Sequence, residues 1–206
     1  MMKMKPIIAI ILFAAFFRST VSSQTAVASS KVVRILSFNI LHGATTKGDF
    51  DSDVIAQVIE VANPYFIAMP EVDFKTNRAK RFDLVTELGW RTNMAPIFAR
   101  AMSFDIREYV EDVLSKYTFL QSRNIALSYS PASEPRTALE ILTIETSGDT
   151  IAFSGIHLDS MKDEKDRLAQ IWKLNEIFSL NKYQTILDGD LNAISESKAI
   201  SILEKS

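Results

Sequence analysis

Two hydrophobic periods alternate along this chain. Val32–Ile40 is rich in β-branched and apolar residues and predicts a strand. Asp51 and Asp53 are suited to cap a helix whose apolar positions include Val54, Ile55, Val58 and Ala62. Asn63-Pro64 ends it, because the residue before a proline avoids helical geometry. Tyr65–Met69 then reads as a short buried strand, and Lys80–Leu88 as a second helix closed by Gly89. From Met94 to Tyr129 the pattern is weak and suggests short strands joined by loops. Arg136–Glu145 and Thr150–Ile156 form a hairpin around Ser147-Gly148-Asp149. Met161–Leu180 is helical in period, with Leu168, Ile171, Trp172 and Phe178 on its apolar stripe. Tyr183–Leu187 is a last strand and Ser195–Lys205 a last short helix. Strands mixed with hairpins and crossover helices indicate an α/β or α+β layered sandwich.

The N-terminal residues stand apart from that pattern. Lys3 and Lys5 precede the apolar run Ile7–Phe17, and a small-residue stretch ending in Ala26-Val27-Ala28 follows. A basic start, a short apolar middle and a small-residue exit describe a signal peptide over residues 1–28. The domain then occupies 29–206, and the protein is expected to be secreted or periplasmic. The apolar run is too short to span a bilayer, which needs about 20 residues. The chain has no cysteine, so no disulfide framework is possible. Cleavage after Ala28 removes three cations and no acid, taking the formal net charge from −2 to −5. Bulk nucleic-acid binding rests on a basic face that releases counterions, so this balance disfavours it.

Several strands end in a polar residue suited to a metal or a phosphate. The first leads to Asn39, the second through Pro70 to Glu71, the hairpin to His157, and the last to Asp190 and Asn192. In layered α/β sheets, ligands bind beyond strand ends, where loops rise from a rigid base. Such a set of hard oxygens with one titratable base suits Mg²⁺, which takes one or two carboxylates and keeps several waters. Each residue also has a purely structural reading. Asn39 could bridge a strand end, Glu71 could be a loop acid, and His157 a semi-buried histidine. Asp190 and Asn192 flank turn geometry, and His42 is expected to pack or hydrogen-bond locally.

In order, these segments resemble the endonuclease/exonuclease/phosphatase superfamily. Arg34-Ile35-Leu36-Ser37-Phe38-Asn39-Ile40-Leu41-His42-Gly43 is similar to its opening strand, and Ile67-Ala68-Met69-Pro70-Glu71-Val72-Asp73 to its second motif. Ser154-Gly155-Ile156-His157-Leu158-Asp159 resembles the third, and Ile186-Leu187-Asp188-Gly189-Asp190-Leu191-Asn192-Ala193 the fourth. Glu134-Pro135-Arg136-Thr137-Ala138-Leu139 is similar to a segment common in bacterial members. The resemblance implies a four-layer sandwich of two mixed β-sheets flanked by helices. It implies Glu71 as a ligand of Mg²⁺ or Mn²⁺ with Asn39 beside it. Asp190 would hold the nucleophilic water, Asn192 would bind the scissile phosphate, and His157 would contact phosphate or leaving group.

The chain also departs from the family. Pro70 stands where a glutamine is usual, and Ile156 where a polar residue is usual. Val110, Glu111 and Asp112 put two acids into a strand that should enter the core, so that strand is expected to be distorted or displaced. Fourteen residues follow Asn192, and the family's last strands and their Asp-His pair are not among them. The expectation is a secreted, metal-dependent phosphoesterase, monomeric, acting on a phosphoester. The alternatives are a non-catalytic remnant and a half-domain completed by a partner chain.

Overall fold

The computed structural model describes residues 32–205 apart from 46, 78, 79, 105, 106 and 132. The signal-peptide reading of residues 1–28 lies outside these. The described elements build two four-stranded sheets packed face to face with helices on both outer sides, the α+β four-layer sandwich expected.

The first sheet has the order β1 (Ile35–Ser37), β2 (Phe66–Phe74), β4 (Arg107–Ser115), β3 (Ala95–Phe104). β1 runs parallel to β2, and β4 antiparallel to both β2 and β3. Its outer face carries α1 (Ser52–Ala62) and α2 (Leu84–Thr92) over a core of Ile55, Ile59, Met69, Leu84, Leu88 and Leu114. The α1 cap is as expected, Asp51 accepting from the amides of Asp53 and Val54. The buried row is Ile55, Ala56 and Ile59, whereas Val54 and Val58 are exposed. The polar row Asp53, Gln57 and Glu60 faces water, and 55 and 59 lie opposite it.

α2 starts later than its sequence suggests, at the cap Asp83, whose side chain accepts from the Thr86 amide. It runs through Gly89 to end on Asn93 in the left-handed conformation. Gly89 serves packing: a Cβ there would lie 2.8 Å from the Met94 carbonyl oxygen.

The second sheet is β5 (Phe119–Ala126), β6 (Thr137–Ile144), β7 (Thr150–His157) and β8 (Gln184–Asp190), in that order. β5, β6 and β7 are antiparallel neighbours, with the expected β6–β7 hairpin, and β8 runs parallel to β7. α3 (Lys165–Phe178) and α4 (Lys198–Leu203) cover its outer face. α3 buries Ile171 and Leu174 and leaves Trp172 exposed, so the stripe is narrower than its apolar residues suggest. Among the described residues β8 pairs only with β7. Beside its free edge lies a cleft of about 830 Å³ lined by Trp172, Phe178, Leu187, Leu191, Ile202 and Leu203 among others.

Between the sheets, Phe66 stacks on Phe153 with ring centroids 4.8 Å apart, amid Ala68, Val113, Leu139 and Ile141. Such a pair contributes about 0.5–1.5 kcal/mol beyond its buried area. Gly155 sets the closest approach: a Cβ there would lie 2.9 Å from Val113 Cγ2.

β4 corrects an expectation in part. It is not displaced: Asp112 pairs with Met69 on β2 and Phe98 on β3, and Glu111 with Ala99 on β3. The distortion expected is present, because the register slips beside Glu111 on the β2 side and between Arg100 and Met102 on the β3 side. Both acids are buried. Asp112 turns to the helix side of the sheet with neither carboxylate oxygen hydrogen-bonded, and burial, then Asp83, hold it well above the usual carboxylate range. The upward shift is the direction expected of a buried acid, whose neutral form costs less to bury than its carboxylate.

Candidate active site

The site forms where β1 and β2 of one sheet and β7 and β8 of the other end side by side. After β1 the chain stays along β2, with Phe38 N–H donating to Ala68 O at 3.0 Å and Ile40 N–H to Pro70 O at 3.4 Å. This carries Asn39 past the sheet end. Its Oδ1 accepts from the Leu41 amide, leaving Nδ2 to donate to Glu71 Oε1 at 3.0 Å and Asp190 Oδ2 at 3.5 Å.

Glu71 sits in a bulge. The β2–β4 register slips between Met69 and Val72, and Glu71 has φ +62°. A non-glycine residue in this region inside a strand is strained, which re-aims its side chain. The bulge also explains Pro70, since proline lacks the N–H a regular ladder needs and is confined to bulges and edges.

His42, in a left-handed turn at φ +59°, reaches Glu71 Oε2 with Nε2 at 3.4 Å. Its Nδ1 lies 3.2 Å from Asp73 Oδ1, and the Asp73 carboxylate also accepts from the Thr76 hydroxyl. His42 therefore does not pack only locally. It lies between two acids on β2, with Nδ1 near Asp73 but in no hydrogen bond, and each Glu71 oxygen has its own neighbour.

From the second sheet, His157 ends β7 directly opposite Asp190 on β8. His157 is buried, and its Nδ1 lies 3.1 Å from Arg136 Nη1. Burial foremost, then Arg136, lowers its pKa to about 4. Asp190 Oδ1 accepts from the Asn192 amide at 2.9 Å. Asn192, at φ +46°, donates through Nδ2 to Leu158 O at 2.8 Å, so one N–H of that amide is spent on tying the strand ends together.

Gly189 lets β8 deliver Asp190: at φ +132° a Cβ would fall 2.0 Å from the Ile156 carbonyl oxygen. The segment after His157 is clamped by α3. Gln170 Oε1 accepts from the Asp159 amide, and Arg167 Nη1 donates to Asp159 O at 2.7 Å.

Asn39, Glu71, His157 and Asp190 thus converge, with Asn192 holding their frame. Sequence reasoning assigned no role to Arg136, Asp73 or Glu111. Arg136 was within reach of it: in the expected hairpin Ala138 pairs with Ile156, which puts Thr137 opposite His157 and Arg136 one step away. Glu111 is buried, and its carboxyl is raised by burial, then by Asp112, with Arg136 opposing and Asp190 adding to the rise. Its reach to this site follows from where β4 lies, which the weak pattern over 94–129 did not disclose.

The donor set fits a hard divalent ion. Glu71 and Asp190 bring carboxylates to either side of the Asn39 amide, enough for an ion that keeps waters and takes substrate oxygens. Among the described residues no group of three or more histidine, cysteine, aspartate or glutamate side chains is placed to hold a metal ion, so any ion here would rest on two carboxylates with amide, water and substrate oxygens.

No family model matches the sequence, and no curated protein matches it. Solved structures do. A functionally unknown conserved protein from Enterococcus faecalis superposes with a TM-score of 0.70 at 21% identity, covering 84% of this chain and 72% of that one. An endonuclease/exonuclease/phosphatase family protein from Bacteroides thetaiotaomicron superposes with a TM-score of 0.68 at 17% identity, covering 84% and 68%. This chain has the endonuclease/exonuclease/phosphatase fold. The human Nocturnin catalytic domain, solved with a bound sulfate anion, superposes on it with a TM-score of 0.64 at 17% identity, covering 84% and 70%. The endonuclease/exonuclease/phosphatase fold seen here therefore spans about seven tenths of these chains. No helix among the described residues is long and apolar enough to cross a membrane.

Proposed function

We propose that this chain is an exported, divalent-metal-dependent phosphoester hydrolase, monomeric, acting on a phosphoester other than bulk nucleic acid. The observation that carries the reading is the convergence of Asn39 and Glu71 from one sheet with His157 and Asp190 from the other. The bound sulfate of the Nocturnin catalytic domain supports oxyanion binding on this fold.

Glu71 would hold Mg²⁺ or Mn²⁺ with Asp190 close by, and Asn39 would join it through Oδ1, the only atom of its amide able to ligate a cation. Once bound, the ion would supply Lewis-acid polarisation of a phosphoryl oxygen and stabilise the leaving oxygen. Asp190, its Oδ1 fixed by the Asn192 amide, orients the attacking water and takes its proton at Oδ2. His157 meets a phosphoryl oxygen, and the remaining Asn192 N–H is available to another. No further histidine beyond His42 and His157 is present to protonate the leaving group.

The test is hydrolysis of an aryl phosphodiester and an aryl phosphomonoester by the purified chain with Mg²⁺, with Mn²⁺ and with EDTA. Asp190→Asn is assayed beside it. Metal-dependent turnover that falls about 100-fold or more in the variant supports the reading. Folded protein with no turnover above the variant overturns it. A second reading, completion by a partner chain, draws on the free β8 edge beside its apolar cleft. A co-purifying chain that restores turnover to an inactive monomer would favour it.

A further inference from the structure

We infer that Arg136 is a positioning residue that fixes the His157 ring as a neutral Nε2–H donor, which removes His157 from proton transfer and leaves it to grip a phosphoryl oxygen. The inference rests on the hydrolase reading for its substrate, but its core is a statement about two side chains of this protein.

The argument begins with hydrogen-bond inventory. Arg136 Nη1 lies 3.1 Å from His157 Nδ1. A guanidinium offers five N–H donors and no acceptor, so Nδ1 must be the acceptor and must carry a lone pair. A neutral imidazole has one N–H, which then sits on Nε2. A ring whose Nδ1 lone pair is taken and whose Nε2 holds the proton has no free site for a second proton. It can donate from Nε2 and do nothing else.

The arrangement is built rather than incidental. Arg136 is buried, follows Pro135, and immediately precedes β6, with its carbonyl accepting from the Leu127 amide at 2.9 Å. Its Nη2 pairs with Glu134 Oε2 at 3.2 Å, which turns the other end of the guanidinium away from the ring. His157 is itself buried at the end of β7. The charged groups that act on its ring are Arg136, Asp190, Glu71 and His42. The two acids favour the imidazolium, but burial and Arg136 outweigh them and hold the ring neutral, at a pKa of about 4.

The consequence is a division of labour. With Glu71 given to the ion in the proposed site, the proton from water falls to Asp190 rather than to His157. His157 acts like an oxyanion-hole donor, neutral and preorganised, useful where charge develops on a phosphoryl oxygen. Arg136 keeps it so without touching substrate.

The test uses the whole chain labelled with ¹⁵N at histidine and a long-range ¹H–¹⁵N correlation spectrum recorded from pH 5 to 8. Only two histidines are present, so a spectrum of His42→Gln assigns both. The expected result is an Nε2–H tautomer for His157 that does not titrate in this range. Arg136→Met should give a mixture of tautomers, and Arg136→Lys, which keeps a donor, should restore the single one. An Nδ1–H tautomer or an imidazolium in the unmodified chain at pH 7 overturns the inference. So does an unchanged single tautomer in Arg136→Met that melts cooperatively. If Arg136→Met does not fold, the spectrum of the unmodified chain and that of Arg136→Lys decide.

Turnover supplies an independent arm. His157→Gln, which retains a side-chain N–H donor, should keep most of the activity, whereas His157→Ala should lose about 100-fold. Equal loss in both overturns the donor role. A chain that shows the expected tautomer but no turnover keeps the Arg136 assignment and fails the hydrolase reading. Turnover with the wrong tautomer does the reverse.

Discussion

Asn39 and Asp190 are 151 residues apart in sequence, yet Asn39 Nδ2 lies 3.5 Å from Asp190 Oδ2. One residue follows a strand of the first sheet and the other ends a strand of the second. Nothing local holds them together, so the site is only as well formed as the packing of the two sheets.

That packing is tested at Gly155. Gly155→Ala would place a methyl group 2.9 Å from Val113 Cγ2 and should cost about 1–3 kcal/mol through overpacking. Val113→Ala in the same chain should recover part of that loss. Denaturant unfolding of both single variants and the double variant checks it, the expected signature being a coupling energy that favours the pair.

At Gly189 the constraint is harsher. A Cβ 2.0 Å from the Ile156 carbonyl oxygen cannot be accommodated by rotating a side chain, because the obstacle is backbone. Gly189→Ala should lower stability by about 3 kcal/mol or more and displace Asp190 with it. The denaturation midpoint and the Mn²⁺ affinity should therefore fall together.

Asp112 gives a pH dependence. Its folded pKa is raised by burial, so the unfolded chain loses this proton first, near pH 3.9. The associated stability is present below that value and is lost as pH rises toward the folded pKa. Glu111, also raised, acts with the same sign. His157, lowered to about 4, acts with the opposite sign up to its ordinary value of 6.5, so the loss of stability should be clearest from about pH 6.5 to pH 8. Asp112→Asn should flatten part of that slope and raise the melting temperature at pH 8 by about 3 °C for each kcal/mol regained. Thermal melts across that range decide it.

His42 Nε2 lies 3.4 Å from Glu71 Oε2, so in the proposed metal site His42 would be an outer residue that orients the ligand. Removing such a partner typically costs about 10–100-fold in metal affinity. His42→Ala should weaken Mn²⁺ binding by that order, measured by calorimetry in the absence of substrate, with a smaller effect on the melting temperature of the metal-free chain.

What sequence disclosed, and what it did not, follows from the range of the interactions involved. The Asp51 cap of α1, the hairpin and the residues at strand ends were legible because each is set by neighbours within a few positions, whereas the ends of α2, at Asp83 and Asn93, were not. Glu71 could be picked out by its place after a strand, but its left-handed backbone comes from a slip against β4, which periodicity does not see. Asp112 misled for the opposite reason. Two acids in a row read as a distorted or displaced strand, whereas β4 stays between β2 and β3 with Asp112 paired to both, and the distortion is confined to register slips beside it. Arg136 went unassigned because its role depends on which nitrogen of another side chain it meets.

The free edge of β8 has a consequence for the protein in a tube. β5, at the far side of the same sheet, is exposed and polar through Gln121, Ser122, Arg123 and Asn124, which discourages growth of the sheet in that direction. β8 has Thr185, Ile186 and Leu187 in a row, with acids only at Asp188 and Asp190. An open strand of that kind is a template for another copy of itself. Concentrated samples should accumulate edge-to-edge oligomers through Gln184–Leu187, so solubility and shelf life, more than melting temperature, are the properties this edge governs.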